Sequence, residues 1–209
     1  PGAHQINSSK NTVVSPVDAR VDQFGIINNT SLIQAKGVEY SLKNLIPSDM
    51  ANHFINGTFI TLYLSPADYH RIHSPVSGKI RGYFLVPGKL FPVHEVMVGG
   101  IKNLFSKNER SITYIETDMG KVAVCKIGAM NVGRISLSYA DVISNKAFRK
   151  RKELLYNDKD IIDIKAGNEL GMFHLGSTII LVFQKDIMNF EKLNYGQKVR
   201  MGEKIGSLR

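Results

Sequence analysis

A single cysteine, Cys125, stands in 209 residues, which excludes an internal disulfide and fits a reducing compartment. Its setting, Val122-Ala123-Val124-Cys125, is apolar, so a buried inert thiol is expected there rather than a catalyst. Long hydrophobic runs are missing too. The longest clean one is Ile179-Ile180-Leu181-Val182-Phe183, far short of the roughly 18 residues that a membrane-spanning helix needs. The start, Pro1-Gly2-Ala3-His4-Gln5, lacks the charged and apolar regions of a signal peptide. No His-Glu-x-x-His pattern or neighbouring cysteine completes a zinc site, so no metal is expected. No aromatic stacking motif or recognition helix accompanies the positive charge, so nucleic acid is not the expected partner. Acidic residues are outnumbered: 27 Lys and Arg against 18 Asp and Glu leave a net charge of +9, which favours an anionic partner such as a membrane surface.

What the chain does contain is strands and tight turns. With 43% hydrophobic residues it can build a core. Thr12-Val13-Val14 and the residues after Pro16 read as a strand interrupted at the proline. Ser31-Leu32-Ile33-Gln34-Ala35 reads as another strand, and Ser41-Leu42-Lys43-Asn44-Leu45-Ile46 and Asp49-Met50-Ala51-Asn52-His53-Phe54 as short helical turns. Gly57-Thr58-Phe59-Ile60-Thr61-Leu62-Tyr63-Leu64 alternates β-formers and is the best strand of the first half. From Val76 onward, glycines at 78, 82, 88, 99, 100, 120, 128 and 133 punctuate strand-like text at hairpin spacing. A phrase repeats as Leu85-x-x-Gly88-x-x-Phe91, Ile164-x-x-Gly167-x-x-Leu170 and Val199-x-x-Gly202-x-x-Ile205, and the last two add Gly171 and Gly206. It resembles the turns of biotinyl and lipoyl carrier domains. The expected fold is therefore β-rich α+β, a compact barrel-sandwich-like core of antiparallel strands with a few short helices. Residues 140–156 differ, with Lys146, Arg149, Lys150, Arg151 and Lys152 interleaved with Val142, Ile143 and Phe148. They read as a basic loop or short amphipathic helix at an anionic surface.

The residues with the most specific chemistry are Gly176-Ser177, set between apolar flanks. A glycine carbonyl has no side chain in the way, and the next residue carries a hydroxyl. If a base takes the Ser177 proton, Oγ can add to the Gly176 carbonyl and form an ester. β-Elimination then leaves a dehydroalanine that hydrolyses to a pyruvoyl group, an electrophilic ketone that binds a substrate amine as a Schiff base and serves as an electron sink. Gly-Ser is also a common turn dipeptide, so the supporting residues matter. Among six histidines, His70 and His73 share one short turn between Tyr69 and Pro75. An imidazole is the usual base for a serine hydroxyl, and the spacing leaves open which of the two faces Ser177.

Several motifs together resemble the phosphatidylserine decarboxylases. They are Asn56-Gly57-Thr58-Phe59, Tyr69-His70-Arg71-Ile72-His73-Ser74-Pro75, Asn103-Leu104-Phe105 with Asn108-Glu109-Arg110, and Glu169-Leu170-Gly171-x-Phe173-x-Leu175-Gly176-Ser177-Thr178. They stand in the family's order and the likeness runs over residues 16–183. The resemblance implies one catalytic domain over residues 1–209 that cuts itself into a β subunit, 1–176, and an α subunit, 177–209. The pyruvoyl cofactor would be made from Ser177. Carried over by position, the processing triad falls on Asp18, His73 and Ser177, with His73 as base and Asp18 orienting it, and His70 would protonate the product carbon after CO₂ leaves.

Two departures accompany the likeness. Ala19 stands where the family usually has glycine after the triad aspartate, which would strain a turn with positive φ and make Asp22 the fallback orienter. His94 stands where asparagine is frequent. The family's amino-terminal membrane-binding segment is also missing from these residues. The implied partners are phosphatidylserine in an anionic membrane, the paired α and β subunits and a homodimer. The implied place is the periphery of a membrane, the cytoplasmic face of a bacterial inner membrane ahead of the mitochondrial one. A pyruvoyl decarboxylase of another amine, and a non-enzymatic lipid-binding module, are the alternatives.

Overall fold

A computed structural model of the chain describes residues 11–35, 38–93, 100–130, 134–144, 150–174 and 177–209. Its largest sheet runs Lys152–Leu155, Gly78–Val86, Arg110–Thr117, Gly120–Ile127, Ser177–Phe183, Thr58–Leu64, Ala19–Ile26 and Lys198–Val199, and Ile162–Ile164 adds a ninth strand beside Gly78–Val86. All neighbours are antiparallel. A second sheet orders Val142–Ile143, Ile135–Leu137, Glu169–Phe173 and Arg71–His73, and a third orders Thr12–Val14, Lys204–Leu208 and Met188–Phe190. The strands are those of the expected β-rich core, and the largest sheet stays open at both edges. The helices are short: Leu42–Leu45, a 3₁₀ turn at Asp49–Phe54, and Leu104–Lys107.

Ser177–Phe183 lies at the centre of the large sheet and every one of its residues is buried. A strand covered on both faces has no need of alternation, which is why its text, Ser-Thr-Ile-Ile-Leu-Val-Phe, is nearly continuous in apolar residues. Thr58–Leu64 is its neighbour and does alternate in chemistry, yet five of its seven residues are buried. The hydroxyls of Thr58 and Thr61 are buried without a hydrogen bond among the described residues.

Two of the three repeated phrases share a backbone. Asn168 N–H donates to Lys165 O and Glu203 N–H to Arg200 O, with Gly167 and Gly202 both at φ 84°. Each is a four-residue turn that needs positive φ at its third position, where only glycine is unstrained. The further glycines also correspond: a Cβ at Gly171 would strike Ser136 O, and one at Gly206 would strike Asn189 O and Met188 Cε. Gly88 has no positive φ, so the first phrase shares the text without the turn.

Residues 140–156 contribute strands, not a helix, wherever they are described: Val142–Ile143 pairs with Ile135–Leu137, and Lys152–Leu155 pairs with Gly78–Val86. Lys146, Phe148 and Arg149 lie outside the described residues. The periodicity of charges could not reveal this, because the strand is an edge and its residues are all exposed. Charged residues on a sheet edge deter pairing with other chains.

Lys126 is fully buried. Its ammonium group meets Thr113 Oγ1 and lies 3.4 Å from Val124 O, and Thr113 Oγ1 is 2.7 Å from the Tyr139 hydroxyl. Burial lowers its pKa to about 7, because a charge in the interior loses its hydration. The unfolded chain keeps the proton up to the ordinary lysine range, so between these limits the unfolded state binds more protons and stability rises with pH. The slope for this one group is at most about 1.4 kcal/mol per pH unit, and below the lowered pKa the full penalty is present. Urea midpoints of the Ser177→Ala chain should therefore climb between about pH 7 and the ordinary lysine range near 10.4. Adding Lys126→Met should flatten that climb and raise the midpoint at neutral pH. An unchanged profile would show that the amine is solvated.

Candidate active site

Ser177 opens the central strand and pairs with Leu64, the last residue of Thr58–Leu64. From Leu64 the chain makes a turn in which Asp68 N–H donates to Ser65 O at 3.0 Å and Ser65 N–H donates to Asp68 Oδ2 at 2.7 Å. It returns as Tyr69 and His70, and Phe173 N–H donates to His70 O at 2.9 Å. Ser177 thus stands opposite Leu64, and Phe173 is hydrogen-bonded to His70. Leu175 and Gly176 lie outside the described residues, as does His94.

Ser177 is fully buried, and its Oγ has no hydrogen bond among the described residues. His70 Nε2 is likewise buried without a partner among them. Buried polar atoms are nearly always bonded, so such atoms call for an explanation. His73 is the opposite case. Its Nδ1 is 2.7 Å from Gly167 O, and its Nε2 is 3.1 Å from the Tyr69 hydroxyl. The Nδ1 partner expected of Asp18, or of Asp22 in its place, is here a backbone carbonyl. The turn that carries it depends on the positive φ of Gly167.

Asp18 Oδ1 accepts from Met201 N–H at 2.8 Å, which ties the start of the chain to its last 33 residues across the Ala19–Val199 pair. Beside it opens a cleft of ≈ 690 Å³ bordered by Arg20, Tyr63, Ser65, Lys198 and Arg200. Tyr63 and Ser65 flank Leu64, so this cleft lies next to the strand partner of Ser177. Asp22 sits at the bulge between Val21 and Gln23, 3.9 Å from the Arg20 guanidinium. Ala19 belongs to a strand and is not among the residues with positive φ, so alanine at this position causes no backbone strain.

Other motif residues prove structural. Arg71 pairs with Glu169 at 2.7 Å, joining the histidine turn to the Glu-Leu-Gly segment. The Asn108 side chain accepts from Phe91 N–H and donates to the carbonyls of Phe91 and Gly128. Arg110 is buried and donates to the carbonyls of Asn44, Leu45, Ser106 and Asn108. Burial lowers its pKa to about 10. Sequence reading quoted these residues for their resemblance and missed Gly167 and Tyr69 as partners of His73. A glycine valued for its carbonyl leaves no mark of that in the sequence.

The comparisons with known proteins cover the chain that carries this geometry. The profile described as phosphatidylserine decarboxylase matches residues 1–207. The phosphatidylserine decarboxylase proenzyme of Myxococcus xanthus is 39% identical over 208 residues, covering 99% of this chain and 73% of that protein. The proenzyme of Marinobacter nauticus is 38% identical, covering 100% of this chain and 73% of its own length. That of Nitrosococcus oceani is 40% identical, covering 99% and 68%. A match from end to end, over a fold that buries the serine of the Gly-Ser pair, places this chain in the phosphatidylserine decarboxylase family.

Proposed function

We propose that this chain cuts itself between Gly176 and Ser177 and then decarboxylates phosphatidylserine. The observation that carries the reading is the Ser177 hydroxyl, fully buried and unbonded among the described residues, in a chain whose relatives are named proenzymes. Thr58, Thr61, Ser111 and Thr178 also have buried hydroxyls without such a bond, but only that of Ser177 follows the glycine in the Leu-Gly-Ser-Thr motif of a proenzyme family. A hydroxyl kept for attack on the preceding carbonyl has reason to stay uncommitted.

In the first reaction His73 takes the Ser177 proton. Oγ adds to the Gly176 carbonyl carbon, the Gly176–Ser177 C–N bond breaks, and the nitrogen receives the proton. Loss of the Ser177 α-proton then breaks the Cβ–Oγ bond, releasing Gly176 as a carboxylate. Water replaces the nitrogen of the resulting dehydroalanine, ammonia leaves, and a ketone caps residue 177. Nδ1–H bound to Gly167 O leaves Nε2 as the basic nitrogen, which suits this role. The pyruvoyl group supplies an electrophilic carbonyl for the substrate amine and a sink for the electrons of the breaking carbon–carboxylate bond. His70, whose Nε2 is buried without a partner among the described residues, is the proposed donor of the proton that replaces CO₂.

Substrate and membrane follow the charge. Arg20, Lys198 and Arg200 border the cleft beside Asp18 and favour an anionic headgroup. Lys150, Arg151 and Lys152 are exposed near Leu154 and Leu155, which are 41% and 50% exposed. The register Thr178↔Ile127↔Arg110↔Val86 sets that edge at the same end of the sheet as Ser177. Each cation near an anionic bilayer gains about 1 kcal/mol. No helix among the described residues is long and apolar enough to cross a membrane, and we propose peripheral attachment.

The cut would not separate the pieces. Ser177–Phe183 pairs along its length with Thr58–Leu64 and Gly120–Ile127, and Lys204–Leu208 pairs with Thr12–Val14. The wild-type protein should elute as one species under native conditions. In denaturant it should give two masses meeting at the 176/177 bond, the smaller one blocked to amino-terminal sequencing. Release of CO₂ from phosphatidylserine vesicles, with phosphatidylethanolamine as product, tests the activity. A single unmodified chain without that activity would overturn the proposal.

A further inference from the structure

His73 is held at both ends of its ring, and the two bonds have different meanings. Gly167 O can only accept, so Nδ1 carries a proton. In the neutral imidazole that leaves Nε2 with a single in-plane lone pair, and the Tyr69 hydroxyl at 3.1 Å must be the donor to it. The two rings are stacked at 19°, with centroids 5.7 Å apart. Tyr69 is 41% exposed, so its bond to His73 is at the surface while the serine hydroxyl is buried. Were His73 doubly protonated, Nε2 would donate to the phenol and have no lone pair to offer. In either state the nitrogen that must act on Ser177 is occupied.

We propose that Tyr69 is a positioning residue that restrains self-cleavage, its hydroxyl competing with Ser177 Oγ for the one lone pair of His73. This rests on His73 being the processing base. The restraint matches the state of the serine, whose Oγ has no hydrogen bond among the described residues. It also uses the local chain path. Tyr69 lies in the stretch that leads from Leu64, the strand partner of Ser177, to the Arg71–His73 strand, so a swing of one exposed ring changes the access of Nε2 without unpairing a strand. Gly167 O holds the imidazole and its tautomer while the phenol comes and goes. Competition of this kind predicts an effect of unusual sign: removing a hydrogen bond to a catalytic group should speed its reaction.

The test follows the first-order conversion of newly made uncut precursor into its two fragments. Tyr69→Phe keeps the stack and removes the donor. It should mature about 3- to 10-fold faster than wild type, the range expected for giving up one partly exposed hydrogen bond. Maturation at or below the wild-type rate would overturn the restraint. A general loss of packing slows folding and processing, so acceleration is an outcome that a merely structural tyrosine would not produce. The double variant Tyr69→Phe with His73→Ala should be as slow as His73→Ala alone; a remaining acceleration would show that Tyr69 acts elsewhere. Histidine-selective ¹⁵N spectra of the uncut Ser177→Ala precursor give a second readout. His73 should keep its Nδ1–H tautomer in Tyr69→Phe while the Nε2 resonance moves to that of an unbonded nitrogen, and an unmoved Nε2 would overturn the contact. His73→Ala that matures normally would remove the underlying role of His73. His73→Ala that is blocked while Tyr69→Phe is slow would remove the restraint alone.

Discussion

Ser177→Ala should remain one uncut chain and lose all decarboxylase activity. The size of the effect follows from the chemistry: no other atom at residue 177 can form the ester, so there is no weaker version of the same path. Loss of activity alone would be poor evidence, since a central buried strand is a place where substitutions unfold proteins. Here the structure separates the two explanations. Ser177 Oγ makes no hydrogen bond among the described residues, so alanine removes a buried hydroxyl that is bonded to none of them. The variant should fold as well as wild type or gain up to about 1 kcal/mol, because an unsatisfied buried polar group is destabilising. An intact mass, an unchanged or raised urea midpoint and no CO₂ release are expected together. A Ser177→Ala chain that still splits at this bond would exclude the serine as nucleophile, and an uncut chain with activity would exclude the pyruvoyl group.

Most of the strand architecture was legible because it is written in local chemistry. Pro16 breaks a strand for want of an N–H, and indeed Thr12–Val14 and Ala19–Ile26 end up in different sheets. Gly167 and Gly202 signal turns that only glycine takes without strain. Two of the motifs also pair with each other, since Arg71–His73 lies beside Glu169–Phe173 in one sheet. What could not be read were the partners that long-range pairing supplies. Nothing in the sequence around Lys126 shows that it is buried, since its burial follows from how the strand Gly120–Ile127 is packed. Arg110 stands in a motif that says nothing of its partners, and it holds four backbone carbonyls. The Nδ1 partner of His73 was sought among carboxylates, because side chains are what a sequence displays. The structure uses the carbonyl of Gly167, which any residue would possess and which only the turn at residues 165–168 delivers to the ring.

His73 and His70 should separate into two phenotypes, and the separation is the sharper test of the assignment. His73→Ala is expected to slow maturation by about 10²- to 10⁴-fold, the usual contribution of a positioned general base. Asp18→Asn should slow it less. Asparagine can still accept from Met201 N–H, and Nδ1 of His73 already has Gly167 O as its acceptor. An Asp18→Asn defect as deep as that of His73→Ala would return the orienting role to the carboxylate, and the same result for Asp22→Asn would assign it there. His70→Ala should mature at a rate near wild type, because it leaves the proposed base, His73, and its Gly167 partner in place. It should then turn over phosphatidylserine about 10²- to 10⁴-fold more slowly for want of a proton donor, while the mass of residues 177–209 still shows the pyruvoyl carbonyl. The ring nitrogens make the opposite outcome informative. His70 Nε2 is the uncommitted one, so an uncut His70→Ala chain would mean that this nitrogen, not the one beside Tyr69, receives the serine proton. The two histidines would then exchange roles within the same turn.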